Sequence, residues 1–433
     1  MNTEVFANTS WMLVSTAMVL LMTPALALFY GGMSRQKSVL NMMMMSFGSL
    51  GVVTVVYILW GWSISYGSQD IGGIFANPFQ FFGLHDAISV NGMPLISKFG
   101  YPTVIEIGYQ LTFAVIACAL ISGALADRVK FGTWLVFTGA WSTFVYFPLA
   151  HMVWGGGLLS EHAHSVAAWM FGAHGDEAAV PPVDFAGGTA IHISAGTAAL
   201  LLAICVGKRH SFMRSAHRPH NLPIVMLGAS LLWFGWFGFN GGSAHGASWL
   251  TGLATLNTTA SAAAGILGWL LAEKLRDGHA TSLGAASGVV AGLVTITPAA
   301  GVLTPLTSII LGFIGGMLAA FGVALKFRFK FDDSLDVVGV HLVAGIWGTI
   351  GLAFFADGKG IFTGNPSYGF KLLIVQIVVA ALTMLYAGLV TAVIGWILEK
   401  TMGWRVDRDV EHGGIDAHVH GETAYDALGM EGK

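Results

Sequence analysis

Charge is what this 433-residue chain has least of: Asp, Glu, Lys and Arg together make up 10% of it, against about 25% in a soluble domain. So few charges cannot cover a water-facing surface. With a mean hydropathy of +0.71, most of the outer surface must meet lipid. A basic excess is missing too. The net charge of −3 and a pI near 6.6 offer no basic patch for nucleic acid, and that class of partner is excluded. Cysteine is nearly absent. Cys118 and Cys205 both fall in apolar runs and read as packed small residues rather than a disulfide or a metal pair. The run Met42, Met43, Met44, Met45 is no thioether metal site, because consecutive side chains on a helix point about 100° apart. It reads as lipid-facing and interhelical filling.

Long apolar runs and 58 glycines are what the chain does have; glycine lets membrane helices approach closely. Eleven apolar segments can be drawn, at roughly 10–32, 39–66, 102–126, 131–153, 186–206, 221–242, 250–272, 281–299, 303–325, 337–355 and 368–399. Each is near or above the ~20 residues needed to cross the hydrocarbon core. The charge asymmetry tests the count. With the N-terminus outside, Arg35, Lys37, Arg128, Lys130, Lys208, Arg209, Arg214, Arg218, Lys274, Arg276, Lys326, Arg328 and Lys330 lie on the inner side. Lys400, Arg405, Arg408 and Lys433 join them in the tail, and only Lys98, Lys359 and Lys371 remain outside. Shifting the count by one span scrambles this positive-inside pattern. The loop 208–220, with four Lys or Arg and three His, could bind acidic lipid or a partner but is explained by the same rule. Ala25-Leu26-Ala27 resembles a signal-peptidase site, yet no Lys or Arg precedes the first apolar run. Span 1 therefore reads as permanent. The expectation is an all-α polytopic inner-membrane protein with eleven transmembrane helices over residues 1–400 and a cytoplasmic C-terminal tail over 401–433.

Span 5 contains His192-Ile193-Ser194-Ala195-Gly196 and span 10 contains His341-Leu342-Val343-Ala344-Gly345, both H-x-x-A-G, with Asp184 and Asp336 upstream. Spans five apart in an eleven-span chain run in opposite directions. The pattern predicts two inverted five-helix repeats, about 10–206 and 221–355, plus a final helix. A histidine at membrane depth is expensive and usually faces a bundle interior or a pathway. No Cys, His or carboxylate sits at i+3 or i+4 of either one, so a metal is not expected. Neutral imidazole offers one donor and one acceptor, and two stacked rings can share one N–H. An apolar tube lined this way suits a small molecule that hydrogen-bonds and is uncharged, at least transiently. Trp154, opening Trp154-Gly155-Gly156-Gly157, and the run Trp236 to Ser243 suggest an outer mouth. A tryptophan face attracts cations, though an aromatic belt at the interface would place Trp154 equally well.

The string Asp184-Phe185-Ala186-Gly187-Gly188-Thr189, ending at His192, resembles the ammonium transporter signature. So do "AHMVWGGGLL", "PHNLP", "WFGFNGGSA", "GLVTITPAAG" and "DDSLDVVGVH". The matches run in order from about residue 20 to 425, and the chain is identified as similar to the Amt branch of the Amt/Mep/Rh family. The resemblance implies a homotrimer with one pore per subunit and no cofactor. It implies an external ammonium recruitment site at Phe113, Trp154 and Ser243, with Phe239 stacked below Phe113, and a central pair His192 and His341. It makes Thr297 a polar contact at the mouth and Asp184 the family's buried aspartate, which would cap the start of span 5 or support the cation. Gly241 stands where many members have alanine. In the tail the usual acidic run is replaced by Asp407-Arg408-Asp409-Val410-Glu411, so weaker tail-to-loop pairing and altered docking of a PII-type signal protein are expected. Three competing readings are a Rh-type ammonia or carbon dioxide channel, an ammonium sensor and an integral-membrane enzyme. Trp154 and Ser243 weigh against the first, the short tail against the second, and the lack of a nucleophile or metal set near the histidines against the third.

Overall fold

The computed structural model describes residues 3–214 and 218–425; His217 and Lys433, counted above, lie outside them. Among the described residues eleven long helical segments follow one another. They are α1 (Thr3–Met33), α2 (Gln36–Tyr66), α3 (Thr103–Leu125), α4 (131–154), α5 (Gly188–Val206) and α6 (Leu222–Gly241). Then come α7 (Trp249–Asp277), α8 (Ser282–Ile296), α9 (Pro305–Phe329), α10 (Val338–Phe355) and α11 (Pro366–Thr401). Each overlaps one of the eleven apolar segments. Eight are long and apolar enough to cross a membrane, all except α4, α7 and α8. The chain is thus a helical multi-pass membrane protein.

Local chemistry sets the helix ends. Ser248 and Thr251 form a reciprocal capping box at the start of α7, and Thr304 and Thr307 do the same at α9, with Pro305 at the first helical position. Asn221 and Asn365 cap α6 and α11, each accepting from a backbone N–H. The low apolarity of α7 comes from polar side chains turned inward. Asn257 donates to the carbonyls of Ala300 (2.9 Å) and Leu303 (2.7 Å), and Ser261 to that of Gly292 (2.8 Å). Helices α7, α8 and α9 touch backbone to backbone at glycines: a Cβ on Gly265 would lie 2.6 Å from the Gly292 Cα, and one on Gly316 only 2.2 Å from the Gly265 carbonyl oxygen.

The outward faces are apolar, as lipid requires. On α11, Leu385, Leu389, Val393 and Trp396 recur at about one turn and are all exposed. Met42 and Met45 are buried while Met44 is exposed, as helical spacing demands. Cys118 is buried, but Cys205 is not packed as expected: it is exposed on α5, and both thiols are free. Three two-residue hairpins, Asp70–Ile71 with Phe75–Ala76, Ser89–Val90 with Met93–Pro94 and Ala173–His174 with Glu177–Ala178, lie in the α2–α3 and α4–α5 connections.

The tail doubles back under the bundle. Trp404 is fully buried and its carbonyl accepts from the Lys130 N–H (2.8 Å). The Glu411 carboxylate takes Arg405 (2.5 Å) and the His210 N–H (2.8 Å), while Arg35 donates to the Glu411 carbonyl (2.9 Å). Asp416 accepts from the N–H groups of Leu40 (2.9 Å) and Asn41 (2.8 Å), in the first α-helical turn of α2 after its 3-10 start at Gln36–Ser38. Of the run Asp407-Arg408-Asp409-Val410-Glu411, Glu411 engages the loops through His210 and Arg35. Glu411 and Asp416 are both buried and anchor the tail, whatever Arg408 and Val410 have displaced.

Candidate functional site

Helices α5 and α10 each begin with a wide π-helical turn, Gly188–Ile193 and Val338–Val343, which carries the histidine; such turns re-aim side chains and recur at functional sites. The two helices cross at the repeated motif. A Cβ on Gly196 would meet the Leu342 backbone at 2.6 Å, and one on Gly345 the His192 Cβ at 3.1 Å. The glycine four residues after each histidine thus leaves room for the partner helix, and the two imidazoles meet. Their ring centroids are 5.4 Å apart at 18°, and the Nδ1 atoms are 3.3 Å apart, a distance at which one N–H bridges both. The His192 Nε2 finds no hydrogen-bond partner among the described residues. His192 and His341 line a chamber of about 10 Å³ whose other walls include Leu26, Phe29, Ile116, Trp236 and Phe239. That is room for about one water-sized molecule.

Above the chamber lies a closed aromatic layer. Phe113 of α3 and Phe239 of α6 stack with centroids 4.2 Å apart and planes within 7°. Trp154, at the end of α4, meets Phe113 edge-on at 6.5 Å. Beyond it a vestibule of about 610 Å³ opens, lined by Phe113, Trp154 and Ser243 among others. Phe239 lines the chamber and not the vestibule, so the stack separates the two spaces. The Ser243 hydroxyl donates to the Phe239 carbonyl (2.8 Å) and lies 3.3 Å from the Tyr109 hydroxyl, which itself donates to the Gly238 and Phe239 carbonyls; a Ser243 lone pair is left to accept from a guest. Trp154 is held by its indole N–H on the Asp184 carbonyl (2.9 Å).

Asp184 itself accepts at the start of α5 from the N–H groups of Gly187 (2.9 Å), Gly188 (2.5 Å), Thr189 (2.9 Å) and Ala190 (3.1 Å), and from the Thr189 hydroxyl. The backbone can turn so tightly because Gly187 adopts φ +119°. At α10 the matching residue is not Asp336 but Asp333. Asp333 stands eight residues before His341, as Asp184 stands eight before His192, and accepts from Val337 (3.1 Å) and Val338 (2.7 Å). Asp336 instead pairs with Lys326 at 2.6 Å. Thr297 also departs from its expected place. It is fully buried, away from the vestibule lining, and accepts from the Trp236 indole (2.9 Å), whose ring lies on His192 at 5.6 Å and 14°.

Sequence reasoning missed a polar layer on the vestibule wall. Glu106 accepts from the Tyr101 hydroxyl and from Gln110 (2.9 Å), and its carboxylate lies 3.3 Å from His245 Nδ1. Tyr66 donates to Gln110 (2.7 Å). Burial, then the charge of Glu106, push the Tyr101 hydroxyl above its ordinary range, so it stays protonated and donates. Glu106 at i, Gln110 at i+4 and Phe113 at i+7 share one helix face; that spacing was the available signal.

The family profile described as Ammonium Transporter Family matches residues 10–425. The ammonium transporter of Mycobacterium tuberculosis is 48% identical over 97% of this chain and 90% of its own. Among solved structures, one titled Sensor Amt Protein superposes with a TM-score of 0.84 at 25% identity, covering 96% of this chain and 98% of that one. Mep2 of Saccharomyces cerevisiae gives 0.80 at 28% identity, covering 94% and 92%.

Proposed function

Since the chain belongs to the ammonium transporter family, we propose that it moves ammonium across the membrane by taking the cation in at Trp154, Phe113 and Ser243, losing a proton from it to vestibule water near the gate, and passing ammonia along Phe239, His192 and His341 to be reprotonated by water inside. One observation carries this reading: a wide vestibule with charged and hydroxyl-bearing groups on its wall is divided from an apolar, one-molecule chamber by the Phe113–Phe239 stack. Ammonium and potassium have similar size and charge, but only ammonium donates N–H bonds and can lose a proton. A charge at the bilayer centre costs at least ~2.5–3.5 kcal/mol, and a chamber of about 10 Å³ has no room for a hydration shell. Neutral ammonia fits it and can bond to the unpartnered His192 Nε2. Asp184 positions the Trp154 side of the mouth and the start of α5. Thr297 steadies Trp236 against His192.

All eleven helices cross the bilayer in this reading, with the N-terminus outside and the tail in the cytoplasm. Residues 1–400 form two inverted halves and a last helix. The vestibule is external, three subunits assemble with a pore in each, and the tail from 401 meets regulators such as a PII-type protein. The charge asymmetry and the reciprocal packing of Gly196 and Gly345 support the topology.

The test is ion flux in proteoliposomes under an ammonium gradient, with potassium as control. The intact protein should carry ammonium and exclude potassium. His192→Ala or His341→Ala should admit potassium while leaving the assembly intact in detergent. Variants that fail to assemble would assign the histidines to packing alone. A sensor is the second reading, favoured by the likeness to the structure titled Sensor Amt Protein; ammonium binding without flux would select it.

A further inference from the structure

We propose that the vestibule carries a second cation subsite, built by Glu106 and His245 outward of the Phe113–Ser243 layer, which holds a small N–H cation only while His245 is neutral. The substrate class rests on the transport reading above; the site itself rests on geometry. Glu106 is 5% exposed, yet it lines the vestibule. Seven residues before Phe113, it stands about 10 Å further out along α3 at 1.5 Å per residue. Tyr101 and Gln110 each donate to the carboxylate, which has room for about four donors. The remaining direction is contested. His245 Nδ1 lies 3.3 Å from a carboxylate oxygen and 3.1 Å from the Tyr101 hydroxyl, and the imidazole is clamped flat on Phe99 at 3.8 Å and 2°.

A protonated imidazole donates to the carboxylate and cancels its charge. A neutral one leaves the Glu106 charge uncancelled by the ring, in a vestibule lined here by Tyr66, Phe99 and Gln110. Carboxylate, hydroxyl and ring faces together suit ammonium or a methylated ammonium. The chain already presents such a group here: the Lys98 ammonium lies over the Phe99 ring at 5.1 Å. The other ionisable groups on the vestibule wall are Tyr66, Glu161, His162 and Asp184, the last saturated by the α5 backbone. Imidazole exists as a neutral or a protonated ring, and here the two forms meet the same carboxylate differently. Proton and cation therefore compete for one negative charge, and by linkage each weakens the other.

The site is read without relying on flux by infrared difference spectroscopy on the reconstituted full chain, exchanging sodium chloride for ammonium chloride at fixed ionic strength. Ammonium should shift a carboxylate band at pH 8, and the shift should shrink at pH 5. Glu106→Gln should remove that band, and His245→Asn should make it independent of pH. In parallel, the half-saturation concentration for ammonium uptake should rise severalfold on external acidification in the parent and stay flat in His245→Asn. A band that survives Glu106→Gln overturns the proposal, as does a His245→Asn protein that titrates like the parent. If Glu106→Gln fails to fold, the His245→Asn titration decides alone. Absence of ammonium flux in the parent would sink the transport reading and leave the infrared result to judge this site.

Discussion

Ser243 gives its one proton to the Phe239 carbonyl, so toward the vestibule it can only accept, which matches a guest that carries N–H bonds. Ser243→Ala should weaken recruitment by one hydrogen bond to a charged group, about 1.5–3 kcal/mol at most, or roughly 10- to 100-fold in half-saturation at 1.4 kcal/mol per tenfold. Concentration-dependent uptake checks this, and an unchanged half-saturation would remove Ser243 from the recruitment site. Phe113, Trp154, Ser243, His192 and His341 were legible because each sits in a distinctive local string. Glu106 and His245 were not, because their contact joins residues 139 apart in the chain and each alone looks ordinary. Thr297 was placed at the mouth by its motif; only packing reveals that its hydroxyl serves Trp236.

At the level of single helices, the structure turns on how α5 and α10 begin. Four backbone N–H groups at the start of α5, unsatisfied by any helix, converge on Asp184, whereas two at α10 converge on Asp333. An amide presents one acceptor where a carboxylate presents two. Asp184→Asn should therefore lower thermal stability, on the order of 3 kcal/mol, with Asp333→Asn costing less. Tryptophan fluorescence during heating in detergent measures both. An unchanged midpoint for Asp184→Asn, with flux abolished, would give the carboxylate a purely electrostatic role toward the cation. The helices themselves were readable from apolar length, most to within a few residues, with the start of α1 at Thr3 the widest miss. The π-helical turns were not, since nothing in hydrophobic periodicity distinguishes a turn widened by one residue. Asp336, though nearer in sequence to the start of α10, turns away with φ +67° to meet Lys326, which leaves the helix start to Asp333.

For the molecule as a whole, the tail is two parts with different duties. Trp404 is buried against Phe137 with ring centroids 5.5 Å apart, and residues beyond it reach the loops through Glu411 and Asp416. A chain ending after Asp407 should keep a folded bundle with altered transport activity. One ending after Met402 also loses Trp404, which should cost about 3–5 kcal/mol as a large buried aromatic. Thermal midpoints of the two truncations, beside their uptake rates, test the division; equal stability would dissolve it. The stack formed by Phe113 and Phe239 matters on a larger scale still. A membrane that stores energy as voltage dissipates about 2.3 kcal/mol for each charge that leaks down 100 mV. Two phenyl rings 4.2 Å apart over a chamber of about 10 Å³ leave no hydrated thread for potassium or sodium. In the proposed reading the resting protein is, in electrical terms, an insulator, and a cell could fill its membrane with copies of it without short-circuiting the battery that membrane maintains.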